Sequence, residues 1–263
     1  MIKMCVFDVD GTLYDYYNHC IPASTIQALK GLQEKGIKIA VATGRCHYGL
    51  GKALNDLNFD YVIGANGAVI VDKDKNVLYR KDFSMDDVNK INEFCDKTDA
   101  GLVWKFIDHM YVYQNKEKVD WYEGQINSDI GPEPFIECPS KDHHLVDIPQ
   151  SCSLHAPIEL VEEVFRDSET IEFHRYSEDG FDFVSKGLDK GVGVSTLMNI
   201  LQLSKDEIMA FGDNYNDIPM FHVVGCRVVM GNGVDAVKEM ATLVTDDCAH
   251  DGIYNACVKL NLI

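Results

Sequence analysis

Positive charge is scarce in this chain. Its 263 residues carry 24 lysines and arginines against 42 aspartates and glutamates, a formal net charge of −18. That balance argues against nucleic acid and anionic membrane surfaces as partners, since both bind to a basic face. A small anionic substrate stays open if cations gather locally. No apolar run approaches the roughly 18 residues of a membrane span. The opening residues lack the basic start, the long apolar stretch and the cleavage site of a secretion signal. The nine cysteines are scattered singly, without a C-x-x-C pair. Reduced core thiols in a cytoplasmic protein are therefore expected, and a zinc site is not. Repeats and low-complexity linkers are missing as well.

What is present is an alternation of strand and helix patterns. "IKMCVF" reads as a short buried strand, "ASTIQALKGLQEKG" as a helix closed by Gly36, and "IKIAVATGR" as a second strand with both faces covered. "YVIGANGAVIV" adds a further strand and a turn. From "GVGVSTLMNILQL" through "EIMAFGD" and "CRVVMG" to "TLVTD", the last third keeps the same rhythm. Such alternation predicts a parallel sheet with helices on both sides. The middle, Lys81 to Ser185, carries runs such as "GLVWKFI", "HMYVYQ" and "TIEFHRY", and reads as a mixed, partly antiparallel insert. "DKDKN" at 72–76 resembles the start of a calcium loop, but Val77 and Phe83 stand where that loop needs Gly and Glu. A charged hairpin turn is expected there.

Two acidic groups sit at strand ends, where doubly wound sheets bind ligands. "FDVDGT" places Asp8 and Asp10 one residue apart, so both carboxylates can face the same way along an extended segment. Taken alone, an Asx-type turn explains the pattern equally well. "FGDNYND" brings Asp213 and Asp217 after another strand. Four carboxylates in one crevice repel each other, and a divalent cation with oxygen-only ligation, Mg²⁺, removes the conflict. "ATGR" ends a strand with Thr43 and Gly44, a loop able to offer a hydroxyl and N–H groups to an anion. "DKG" sets Lys190 at the start of a helix, against the helix dipole. Lys186 competes with it on sequence grounds.

These motifs, in this order, resemble the four of the haloacid dehalogenase superfamily of phosphohydrolases. "FDFVSKGLDKG", "MGNGVDAVKEMA" and "DGIYNA" are similar to its Cof-type subfamily, class IIB, and the alignment selects Lys190 over Lys186. The resemblance implies an α/β fold: a doubly wound, Rossmann-like parallel-sheet core at 1–80 and 186–263, with an inserted α+β cap at 81–185. About 147 residues separate Thr43 from Lys190, room for that cap, whereas the 35 or so from Asp8 to Thr43 hold one strand–helix–strand step. It further implies a Mg²⁺-dependent phosphomonoesterase. Asp8 is then nucleophile and metal ligand, and Asp10 the acid/base that also binds metal through its backbone carbonyl. Thr43, Gly44 and Arg45 hold phosphate, Lys190 balances charge, and Asp213 completes the metal ligands. Asn216 and Asp217 position phosphate or metal-bound water.

Substrate choice is expected in the cap, with Trp104, His109, His174, Arg175 and Tyr176, and with His47 beside the Thr43 loop, as candidate contacts weighed against plain packing. The aromatics of "WKFI" and "YVYQ" read as the cap's own core, and His143 and His144 as solvated. Small phosphate monoesters, such as sugar phosphates or phosphorylated cofactors, are the implied partners. Two alternatives stand beside hydrolysis: phosphoryl transfer to a sugar, and a receiver-type regulatory phospho-acceptor.

Overall fold

The computed structural model describes residues 1–126 and 135–263, with backbone alone at 122–126. Residues 127–134 of the expected insert lie outside the described residues. In the first third, β1 (Met4–Phe7), α1 (Ala23–Glu34), β2 (Lys38–Ala42), α2 (Gly51–Asn55), β3 (Tyr61–Gly64), β4 (Val69–Asp72) and β5 (Val77–Arg80) follow one another. Next come α3 (Met85–Lys97), β6 (Gly101–Lys105), β7 (Met110–Gln114), α4 (Lys116–Ile126), β8 (Ile136–Glu137), β9 (Ser151–His155), α5 (Ile158–Phe165), β10 (Ile171–Arg175) and β11 (Gly180–Ser185). The chain closes with α6 (Lys190–Leu201), β12 (Ile208–Gly212), α7 (Ile218–Val223), β13 (Cys226–Val229), α8 (Asp235–Lys238), β14 (Leu243–Val244) and α9 (Gly252–Lys259).

The first sheet runs β14-β13-β12-β1-β2-β3-β4-β5. It is parallel from β14 to β3, and β4 and β5 add antiparallel strands at one edge. β1 is apolar throughout because both of its faces are covered. Cys5 and Phe7 pack with Leu29 and Leu32 of α1 and with Ile253 and Cys257 of α9. Met4 and Val6 pack on the other face with Val194 and Leu197 of α6 and Phe221 of α7. The strand order reverses between β1 and β12, which opens a crevice at their carboxyl ends.

A second sheet, β10-β11-β9-β6-β7-β8, is antiparallel except for the β7–β8 pair. Leu102, Trp104, Leu154 and Phe183 form its core with Val88, Ile91 and Phe94 of α3 and Val161 and Phe165 of α5. The expected cap core is therefore present, and Trp104 belongs to it: fully buried, its Nε1 donates to Asn92 Oδ1 at 2.9 Å. As a substrate contact it is excluded. The expectation for His143 and His144 is corrected too. His143 stacks on Tyr111 with centroids 4.0 Å apart, and the Tyr113 hydroxyl meets His144 Nδ1 at 3.2 Å. Flat, half-apolar imidazoles cover the edge of the aromatic cluster better than water does. Residues 72–76 form the β4–β5 turn, with Asp72 Oδ1 accepting from the amides of Asp74 and Asn76, each at 2.9 Å. No helix among the described residues is long and apolar enough to cross a membrane.

Candidate active site

The two acidic motifs meet because their strands are neighbours. Phe7 pairs with Phe211, their rings stack at 4.7 Å, and the Asp8 amide extends the ladder by donating to Phe211 O at 3.0 Å. The carboxylates that follow these strands, Asp8 and Asp213, therefore emerge side by side. After Asp10 the chain turns sharply, with Val9 O accepting from the amides of Leu13 at 2.9 Å and Tyr14 at 2.8 Å. Gly11 has a φ of +88°, and a Cβ there would stand 2.5 Å from Asp213 Oδ2. Only glycine fits both conditions. Thr12 then donates from Oγ1 to Asp213 Oδ1 at 3.1 Å, and Asn232 Nδ2 donates to Gly11 O at 2.8 Å.

Asp217 and Lys190 form the floor. Asp217 Oδ2 accepts from the amides of Asp213 at 2.9 Å and Asn214 at 3.0 Å, which fixes the turn after β12. Its Oδ1 accepts from Lys190 Nζ at 2.7 Å, and the same ammonium reaches Asp8 Oδ1 at 2.5 Å. Lys190 is 1% exposed and Asp217 0%. The α6 helix that carries Lys190 begins there, with Asp189 as its cap accepting from the Val192 amide at 2.8 Å. Geometry thus agrees with Lys190 over Lys186, whose Nζ donates to Ser168 O at 2.6 Å.

Burial pushes the Asp8 carboxyl well up, with Asp217 adding to the rise and Lys190 opposing it. Asp213 is pushed up to about 7 by burial and then by Asp217, against the Thr12 hydrogen bond. For Lys190, burial favours the neutral amine, but Asp217 and Asp8 together raise its pKa above the ordinary value. Among the described residues, ligand oxygens of Asp8, Asp213 and Asp217 lie within 4.8 Å of one another. One ammonium cannot offset three such carboxylates. An oxygen-only, anionic donor set of this kind fits a hard divalent cation. Asp217 has both oxygens committed to Lys190 and the backbone, which leaves Asp8 and Asp213 as the side chains suited to hold it. The Asp10 carboxylate stands outside this cluster.

The opposite wall comes from β2. Thr43 is buried, its Oγ1 accepts from the Arg45 amide at 3.1 Å, and Arg45 Nη2 donates to Asp10 Oδ1 at 3.1 Å. Tyr16 lines the same cleft, and burial together with the Asp10 carboxylate raises its phenol. Asp8, Asp10, Thr43, Gly44, Arg45, Lys190, Asp213 and Asn216 all border one cleft of about 760 Å³, whose far side is the second sheet. His174, Arg175 and Tyr176 reach this cleft, whereas His47 and His109 do not line it. Sequence reasoning missed Tyr16, Asn66, Lys105, Ser153, Asp182 and Asn232. Only Asn232 carried a signal, the "MGNG" turn after β13.

Crevice, buried ammonium and paired acidic strand ends define a hydrolase of the haloacid dehalogenase-like class. The chain belongs to that family: the model of the haloacid dehalogenase-like hydrolases matches residues 5–257. Within it the chain is of the Cof type, subclass IIB, and is a phosphoric monoester hydrolase. It is similar to the 5-amino-6-(5-phospho-D-ribitylamino)uracil phosphatase YcsE of Bacillus subtilis, 25% identical over 257 residues, covering 97% of this chain and 94% of that one. A Streptococcus pyogenes relative, whose name proposes both a phosphatase and a peptidyl-prolyl cis-trans isomerase, is 29% identical over 271 residues. That match covers all of this chain and 54% of the relative, so the chain spans about half its length. Among solved structures, the subclass IIB sugar phosphatase BT4131 superposes with a TM-score of 0.86 at 28% identity, covering 99% of this chain and all of that one. The phosphatase BT1666 of Bacteroides thetaiotaomicron gives 0.87 at 28%, covering 100% and 96%.

Proposed function

We propose that this chain hydrolyses phosphate monoesters of small metabolites in two displacements at phosphorus, with Asp8 as the nucleophile. A carboxylate oxygen of Asp8 forms a bond to phosphorus as the bond to the ester oxygen breaks. Asp10 delivers a proton to that oxygen, so the leaving group departs as an alcohol rather than an alkoxide. The Asp10 carboxylate then takes a proton from water, whose oxygen attacks phosphorus. The aspartyl–phosphorus bond breaks, inorganic phosphate leaves, and Asp8 is regenerated. Arg45, bonded to Asp10, holds its carboxylate toward the cleft.

Charge is the main obstacle, since an anion attacks an anion. Lys190 is placed to offset it, being buried and already bonded to Asp8. Thr43 and the Gly44 amide face the cleft where the phosphate oxygens would lie. Asp8 and Asp213, with the Asp10 backbone carbonyl, would hold Mg²⁺. When bound there, it supplies positive charge against the phosphoryl oxygens.

The observation that carries the reading is the Asp8–Lys190–Asp217 bridge beside Asp213, sealed from solvent at a sheet switch point. By their names YcsE is a phosphatase of 5-amino-6-(5-phospho-D-ribitylamino)uracil and BT4131 a sugar phosphatase, which supports a small phosphorylated metabolite as substrate. A phosphate-release screen over phosphomonoesters, with Mg²⁺ and with EDTA, tests it. Turnover abolished by EDTA and by Asp8→Asn is expected. Full activity of Asp8→Asn would remove the nucleophile assignment, and transfer of the phosphoryl group to a sugar without free phosphate would replace hydrolysis by mutase chemistry.

A further inference from the structure

The second sheet builds its apolar core on one face and turns the other to the cleft. On that second face Val103 and Val112 pack against Val119 of α4, and toward β10 the register turns polar. His174 stands opposite Asp182, and Asp182 opposite Ser153, so the three side chains share one side of the sheet. Ser153 also faces Val103, and Lys105, two residues along, projects from the same side. All four line the cleft.

Their bonding converges on a single carboxylate. Lys105, 8% exposed, donates from Nζ to Asp182 Oδ1 at 2.6 Å, and Ser153 Oγ donates to the same oxygen at 3.1 Å. His174 Nε2 is shielded from solvent and has no hydrogen-bond partner among the described residues. An ion pair buried in this way adds little to folding compared with well-packed apolar residues. Its presence on the cleft side, with Trp104 and Phe183 packing the other side, points to recognition rather than stability.

The second oxygen of Asp182 meets the phosphate-binding loop. A Cβ on Gly44 would lie 3.1 Å from Asp182 Oδ2, and 3.2 Å from both amide atoms of Asn66. The Tyr48 hydroxyl, donating to Phe106 O at 2.8 Å, ties the same loop region to the second sheet. The carboxylate is therefore next to the place where phosphorus is bound, and it would meet the carbons adjoining the ester bond rather than the far end of a substrate.

We infer that Asp182, oriented by Lys105 and Ser153 and flanked by His174, is a specificity residue that selects leaving groups bearing hydroxyls close to the ester, as in polyol and sugar phosphates. The inference rests on the phosphatase reading above. A carboxylate accepts from such hydroxyls, and Lys105 and His174 can donate to their oxygens. A leaving group without hydroxyls leaves His174 Nε2 and the second Asp182 oxygen unmatched, and a site built for hydroxyls discriminates strongly against that loss.

The test compares kcat/KM on a hexitol phosphate and on phenyl phosphate, with Mg²⁺, for the intact chain and two variants. Asp182→Asn is expected to lose roughly 10-fold or more on the hexitol phosphate while phenyl phosphate stays within about threefold. The double variant Lys105→Met/Asp182→Leu replaces the ion pair by apolar groups, so it keeps the fold while showing the same selective loss. Equal losses on both esters would make Asp182 a structural residue, and unchanged values on both would leave it without a role; either overturns the inference. Failure of the intact chain to hydrolyse any ester would instead strike the phosphatase reading.

Discussion

Replacing Lys190 by methionine keeps most of the side-chain volume and removes one buried charge from a cluster of four. Nζ lies 2.5 Å from Asp8 and 2.7 Å from Asp217, all of them shielded from water. Without the ammonium, two carboxylates face each other unpaired. Breaking a buried pair from one side costs about 3–5 kcal/mol. At roughly 2–4 °C per kcal/mol for a chain of this size, the melting temperature in EDTA near neutral pH should fall by on the order of 10 °C. The deficit has a pH signature. Asp8 is already raised by burial, and losing Lys190 removes the one group lowering it, so the fold of the variant binds protons more readily than the unfolded chain. Its stability is fully present at low pH and falls as pH rises above the ordinary carboxylate range, so the gap to the parent narrows as pH is lowered toward 5. Added Mg²⁺ should recover part of the loss, because a bound cation favours the folded state. Activity should drop by about 10²-fold or more even with metal present. Thermal melts from pH 5 to 8, with and without Mg²⁺, measure all of this. A melting temperature within about 2 °C of the parent at every pH would refute the reasoning, because it would mean the carboxylates do not depend on Lys190.

Asp213, pushed up to about 7 by burial and then Asp217, must lose its proton to bind metal. Titration calorimetry in buffers of different ionisation enthalpy should therefore register proton release on Mg²⁺ binding, with weaker affinity below neutrality. Asp213→Asn should abolish the Mg²⁺-dependent rise in melting temperature. His47 is held down to about 4 by burial and then by Lys75, so the fold favours its neutral form. That stabilisation is present above the unfolded value near 6.5 and is lost as pH falls toward 4, and His47→Asn should flatten the melting curve over that window. Gly11→Ala places a methyl 2.5 Å from Asp213 Oδ2 at a φ of +88°. It should cost about 1–2 kcal/mol from the left-handed backbone alone, and at least tenfold in kcat, because Asp213 must shift.

Legibility in the sequence follows the reach of the interactions. Asp8, Asp213 and Lys190 were readable because each closes or opens a regular element with a residue that the element's own rules disfavour. The parallel core was readable because β1, β2 and β12 are continuous apolar runs between helices of clear spacing. The polar face of the second sheet was not. Strands such as "GFDFVS" alternate, yet nothing local says which face meets water, core or cleft, and a one-residue slip exchanges the faces. No local pattern singles out Lys105 or Asp182, and only the β11–β9–β6 register places them together. His143 and His144 misled for a related reason: a polar, proline-flanked context hid the aromatic ledge of Tyr111 and Tyr113, which comes from a strand some thirty residues earlier. Tyr16 sits in a turn whose path is set by Gly11 and Val9, and no spacing rule connects it to Asp10.

The account depends on Asp8 forming a bond to phosphorus, and trapping that bond tests it most directly. A single turnover of a hydrolysed ester would be quenched in acid, reduced with borohydride, digested and read by peptide mass spectrometry. Reduction of an aspartyl phosphate leaves an alcohol in place of the carboxyl, and the account predicts that change at position 8 alone, absent without substrate. Competent turnover with Asp8 unmodified at every quench time, or the modification at another residue, would contradict it.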